Sequence, residues 1–306
     1  MTDYNWNGAA GSYLDPAQWT PNDVPLYGAD DTATIGAGTA TLSDAEPNNL
    51  TLALGATGTR LTTASHNPNP FPVPDQPTLV LDNAALGPDM ALDVFSPAVL
   101  TVNGYDTNYG QINVAPFGDT QAVGGRITLF ALIGAGSQLN QEGTIAVISP
   151  QTVSSASSYL TFGGNGTLNN DGQIFIGPGS NAYFGTGITG SGTITADHAT
   201  VSVGSTASTQ TIDLLGGRLT APLTLEATIK DWNSDGHVVF GGAGSVGSVQ
   251  FNQTSDAGGD LQLFGASGAQ VGDLHLLGTY ATSDFTITPL RGASDISASG
   301  IAPPSA

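Results

Sequence analysis

The sequence predicts an all-β chain: a single-stranded right-handed parallel β-helix, or β-solenoid, with an aromatic cap segment at its N-terminal end. Three observations lead there. Forty-two glycines interrupt almost every window long enough for a helix. Short runs with period-two alternation fill the chain, among them "PTLVLDNAAL", "GRITLFALIGAG", "GQIFIG" and "SVQFN", each closed by Gly, Asn or Asp. From Leu100 onward the runs restate one phrase, as "NYGQINV" (108–114), "LNQEGTIAV" (139–147) and "LNNDGQIFIG" (168–177). The recurrence at roughly 20 to 30 residues lies in the range of solenoid coils, each of which buries its apolar face only against a neighbour.

Taken in order, residues 1–45 form an N-terminal cap or aromatic module. Tyr4, Trp6, Tyr13, Trp19 and Tyr27 give it an aromatic density unlike the rest. End coils of a solenoid leave backbone groups unpaired, so this segment is read either as a cap or as a contact by which a neighbouring molecule adds on. Residues 46–290 are the β-helix. It is interrupted at 65–77 by "SHNPNPFPVPDQP", whose five prolines exclude a helix or an interior strand; His66 and Phe71 are its candidate contact residues. Residues 291–306 are expected to be a flexible C-terminal tail.

Charge narrows the partners. Twenty-five acidic residues against five basic ones leave a net charge of −20, which repels nucleic acid and anionic lipid. Cysteine is absent, so disulfides and thiolate metal sites are excluded. The opening "MTDYNWNGAAGS" has neither a basic nor an apolar leader region, and no run of about 18 apolar residues suggests membrane insertion.

The best metal signal is "DWNSDGH", which spaces Asp231, Asn233 and Asp235 before a Gly and the backbone carbonyl of His237, as calcium loops do. The Glu expected at the twelfth position is replaced by Gly242. Calcium is therefore the only cofactor expectation, beside the alternative of an Asx-rich turn bonded to its own backbone. Catalytic signals are poor. Cleavage of acidic sugars needs clustered cations, whereas Arg60, Arg126, Arg218, Lys230 and Arg291 are scattered. A glycosidase needs paired carboxylates across one bond, and no pair is singled out. Gly242, Gly244 and Gly247 match a dinucleotide fingerprint, but "VQFNQ" after them reads as strand, not helix.

The repeated "L-N-x-x-G-x-I" at Leu139 and Leu168 resembles the rungs of right-handed β-helix passengers of bacterial autotransporters and filamentous-haemagglutinin-like exoproteins. Trp6, Asn7, Gly8, Trp19, Pro25, Asp31, Ile35 and Gly38 are similar to a repeat module of large secreted proteins of proteobacteria. Leu274 to Ser297 looks like their closing module. The resemblance implies an extracellular or cell-surface bacterial β-helix without enzymatic activity. The expected function is that of a structural protein whose β-helix ends join copies of itself into a fibre or surface layer. The alternative is an adhesin that binds surface polysaccharide through Trp6, Trp19 or Trp232 along a groove, and behind it a polysaccharide lyase or hydrolase.

Overall fold

The computed structural model describes residues 3–7, 10–24, 27–35, 39–43, 48–54, 78–89, 91–94, 98–114, 127–149, 158–206, 209–241 and 246–299. Among these the chain is all-β, with two single-turn 3-10 segments, Pro16–Gln18 and Thr282–Asp284. It divides into two compact units, residues 1–168 and 169–306. The Pro-rich stretch 65–77, with His66 and Phe71, lies outside the described residues.

In the first unit the chain visits three faces in turn. On the first face Asp3–Trp6, Tyr27–Ile35, Asn48–Leu54, Ala91–Val94, Gln111–Val114 and Thr144–Val147 pair in parallel, each with the next. On the second, Ala10–Ser12, Thr39–Ser43, Thr78–Asp82, Ala98–Asn103, Ile127–Ile133 and Ser158–Gly164 do the same. The third holds Ala85–Leu86, Tyr105–Asn108 and Gln138–Gln141. These are the long parallel ladders of a β-solenoid-like fold. Alternation along each strand turns every second side chain inward, and the register aligns those residues from rung to rung. Leu92, Ile112 and Ile145 form one buried column and Val94, Val114 and Val147 another. On the second face Leu79, Leu100, Ala131 and Phe162 stack, small residues beside large. Each fully buried aliphatic side chain contributes about 1.5–3 kcal/mol, so the columns, not the short strands, hold the rungs.

The second unit has shorter rungs. Ile174, Ile194, Ile212 and Ile229 align on its first face, all fully buried. Phe184 and Val203 align on its second, as do Ala221 and Phe240. Outward-facing Thr193, Thr211 and Thr228 form a matching hydroxyl row, which covers the surface without charge.

The repeated phrase now has a physical meaning. In "LNQEGTI" Leu139 points in from the third face, Gln141 points in beside it, Gly143 makes the corner and Ile145 points in from the first face. Gly143 lies against the corner of the preceding rung: its N–H donates to the Asn108 carbonyl (2.9 Å), and the Thr144 N–H donates to the Gly110 carbonyl (2.9 Å). A Cβ on Gly143 would collide with the Gly110 carbonyl oxygen. Gly192 repeats the arrangement over Asn170 and Gly172. Glycine recurs because corners stacked at strand spacing leave no room for a side chain.

Two expectations about the C-terminal region differ from the structure. The parallel pattern does not continue to residue 290. Val246–Ser255, Gly258–Gly265 and Gln270–Leu277 form an antiparallel meander, of which only the last strand runs parallel to Thr228–Lys230. The expected tail also contains a strand, Ala293–Ala298, antiparallel to both His237–Gly241 and Phe285–Leu290. The tight turns around Asp256 and Gly268 allow hairpins, whose Leu261, Leu263, Leu274 and Leu276 are buried.

Gly143→Ala should lower stability by about 1–3 kcal/mol through overpacking of the corner. Gly241→Ala, where a Cβ meets nothing within 4 Å, should change it little; denaturant midpoints of the two variants check the corner argument.

Candidate functional site

The N-terminal aromatic residues come together, but they face one another. Trp19 stands between Trp6 and Tyr13, with edge-to-face ring centroids 5.0 Å apart in both pairs. Its indole N–H donates to the Tyr13 carbonyl (2.8 Å). The short strand Trp19–Thr20 folds back antiparallel on Asn5–Trp6. Tyr4, Trp6, Tyr13 and Trp19 are all buried, and burial pushes the Tyr13 phenol far above its ordinary value. Tyr27 lies in the strand Tyr27–Ile35, its side chain outside the described residues.

The Asp231–His237 segment is a turn closed on itself. The Asn233 side-chain oxygen accepts from the Asp235 N–H (3.1 Å), and the Gly236 N–H donates to the Asn233 carbonyl (3.0 Å). The Asp231 carboxylate lies 3.1 Å from Lys230 Nζ, which also reaches Asp213 at 3.4 Å; these acids raise the lysine's pKa. Two of the four expected calcium donors are thus engaged, and among the described residues no group of three His, Asp or Glu side chains is placed to hold a metal ion. As arranged, the segment is an Asx turn bonded to its own backbone. Its buried centre is Trp232, whose indole N–H donates to the Gly236 carbonyl (2.9 Å).

Around Trp232 lies an aromatic cluster that the sequence reading missed. Phe285 packs on Trp232 and on Tyr280 at 5.5 Å each, and Phe251 packs on Tyr280 at 5.5 Å. Burial, with the Asp231 charge nearby, pushes the Tyr280 phenol up to about 12. The four rings are too far apart in sequence to form a local pattern. Asp295 ties the region down: one carboxylate oxygen meets Arg218 Nη1 and the other His237 Nδ1, each at 3.0 Å.

An open cleft of about 320 Å³ in the second unit is lined by Glu226, Asp273 and His275 among others, with His275 Nδ1 2.5 Å from Asp260. Glu226 and Asp273 are both exposed.

The interior of the third face is partly polar, with Leu86 and Leu139 beside buried polar side chains. Asp106, Asn108 and Gln141 point inward and are fully buried. Asn108 Nδ2 donates to Gln141 Oε1 (2.8 Å); in the second unit Asn170 Nδ2 donates to Gln210 Oε1 (2.9 Å), and Gln210 Nε2 to the Asn170 carbonyl (2.7 Å). Asp106 Oδ1 accepts from the Ala84 N–H (2.7 Å), while Oδ2 has no partner. Burial, joined by the charge of Asp82 and only partly offset by the Ala84 N–H, pushes the Asp106 carboxyl up to about 6.

Compared with protein-family models and with curated proteins, the chain matches no family model and no curated protein.

Asp106 gives the fold a pH dependence of definite sign. Its folded pKa lies above the unfolded value, so its contribution is most favourable below about pH 4, is lost as pH rises through about 6, and then levels off; the full difference is on the order of 3 kcal/mol. Asp106→Asn should raise the denaturant midpoint at pH 7 and flatten the slope between pH 4 and 6, measured by equilibrium unfolding. Separately, Asp295→Ala should cost about 1 kcal/mol and speed amide exchange in Ala293–Ala298.

Proposed function

We propose that this chain is a secreted or cell-surface structural protein of a bacterium, without enzymatic activity, that self-associates into a fibre or surface layer through the ends of its strand stacks. In this reading the rungs wind right-handed, as parallel crossovers nearly always do, and the aromatic N-terminal segment caps the first rung. The resemblance to secreted β-helix exoproteins belongs to the same proposal.

The observation that carries it is the outermost strand Val246–Ser255. It runs for ten residues, has no charged residue or proline, and among the described residues pairs on one side only, with Gly258–Gly265. The other outer strands are short, as Trp19–Thr20 and Ala10–Ser12, or contain Pro289. In a chain of net charge −20, an uncharged edge is where a second copy can approach with least repulsion. The edge is also guarded. The Phe251 N–H donates to Thr282 Oγ1 and the Val246 N–H to Ser294 Oγ, both at 2.9 Å, and register shifts mark both ends of the pairing with Gly258–Gly265. Association is therefore conditional on relief of repulsion, by acid, salt or divalent cations. Calcium enters this reading as a screening cation.

The adhesin reading changes its basis. Trp6, Trp19 and Trp232 are buried and offer no ring to a sugar.

Light scattering and electron microscopy from pH 7 to 4, with and without calcium, should show growth of assemblies on acidification or calcium addition, slowed at least several-fold by Gln250→Lys. Unchanged monomer under every condition overturns self-association. Growth unaffected by Gln250→Lys places the contact elsewhere.

A further inference from the structure

We infer that the outer surface of the third face in the first unit is a platform for a neutral polysaccharide chain. Because Asp106 and Asn108 point inward, Tyr105, Thr107 and Tyr109 share the outer face. Tyr105 is 68% exposed and Tyr109 42%. Four residues of extended chain separate their attachment points by on the order of 13 Å, so the rings stand apart along one strand with a hydroxyl between them.

The next rung places Gln138 beside Tyr105 and Asn140 beside Thr107. These amides are held in a row: Gln138 Nε2 donates to Asn140 Oδ1 (2.5 Å), and Asn140 Nδ2 to Thr107 Oγ1 (3.4 Å). On the other side Asn83 Oδ1 accepts from the Tyr105 N–H (3.3 Å). Beneath, the buried Asn108–Gln141 bond joins the two strands. Surface side chains fixed in this way lose little conformational freedom on binding.

The chemistry selects the ligand. An aromatic plane offers an apolar face and a polar rim, which matches the C–H face and hydroxyl edge of a sugar ring, and the amides supply donors and acceptors for further hydroxyls. A protein interface is centred on a contiguous, desolvated apolar patch, whereas these two rings are separated by Thr107 and bordered by amides. Glu142, exposed after the Gln138–Gln141 strand, and the overall charge of −20 disfavour an anionic chain. The site does not depend on self-association.

Affinity electrophoresis of the full chain through gels containing hydroxyethylcellulose, glucomannan or dextran, with polygalacturonate as the anionic arm, tests this. At least one neutral polymer should retard the protein and polygalacturonate should not. Tyr105→Ala and Tyr109→Ala should each weaken retardation tenfold or more, Tyr105→Phe should keep most of it, and Tyr183→Ala, at a tyrosine 54% exposed in the second unit, should leave it unchanged. Retardation by no neutral polymer, equal retardation by polygalacturonate, or alanine variants at Tyr105 and Tyr109 that bind like the parent overturns the inference. A loss in Tyr183→Ala as large as theirs overturns it too.

Discussion

Everything in this molecule depends on corners that stack at strand spacing. A rung of short strands cannot hold its own shape, because three or four residues bury too little to offset the entropy of ordering them. Stability arises only when Leu92 meets Ile112 and Ile112 meets Ile145 at the separation set by backbone hydrogen bonds. That separation must be kept where the chain turns as well as along the strands. At Gly143 and Gly192 the turning backbone lies directly on the backbone of the rung before. The glycine corner thus sets the spacing, the spacing aligns the columns, and the columns bury the apolar surface that stabilises the fold.

The third face shows what this arrangement tolerates. Its strands are narrow, and the adjacent corners bring carbonyl groups inward that need donors. Gln210 meets that need by bonding the Asn170 and Thr189 carbonyls. The remainder is imperfect: Asn108 Oδ1, Gln141 Nε2 and Asn170 Oδ1 have no partner, and each such group costs roughly 1–3 kcal/mol. The aliphatic columns on the other faces offset this. Inward amides also fix the strand register, since a slip by one residue would bring the outer side chains into the interior, and on this face that would bury Tyr105 and Tyr109.

Much of the fold was legible in the residues. Period-two runs located the strands, and the repeated Leu-Asn-x-x-Gly-x-Ile marked a recurring turn and strand, which the structure resolves into third face, corner and first face. What failed was long-range. The sequence of Val246–Ser255 reads as a strand in either direction, and only the turns that follow it decide between another rung and a meander. Aromatic residues allowed more than one reading for a related reason: Trp6 and Trp19 suit a cap as well as a surface contact, and in the structure Trp6, Trp19 and Trp232 are each buried against other rings, with Trp19 and Trp232 each bonding a nearby carbonyl. The Asp231–His237 segment has calcium-like spacing because Asx turns and calcium loops use the same oxygens; whether those oxygens bond the backbone or a cation is set by neighbours such as Lys230. Tyr105 and Tyr109 went unremarked because nothing in a single strand says which face meets water.

Charge distribution joins the ends of the molecule to its sides. Lys230 and Arg218 both lie where the parallel rungs give way to antiparallel strands, paired with Asp213, Asp231 and Asp295. Scarce cations are thus used to fix the last rung and the strand that closes it, where the repeating columns no longer do so. The outer rows of threonine and amide elsewhere are uncharged. Such a surface repels acidic partners at long range, and among the described residues Lys230 and Arg218 are already paired. For a neutral partner, recognition by such a surface rests on short-range hydrogen bonding and stacking; for a second copy of the chain, as proposed above, the mutual repulsion has first to be screened. In the proposed self-association, acid acts on both levels: it reduces the negative charge that keeps copies apart, and it removes the buried charge of Asp106 that weakens the fold. On that proposal, the conditions that favour contact between copies are also those in which the Asp106 contribution to stability is most favourable.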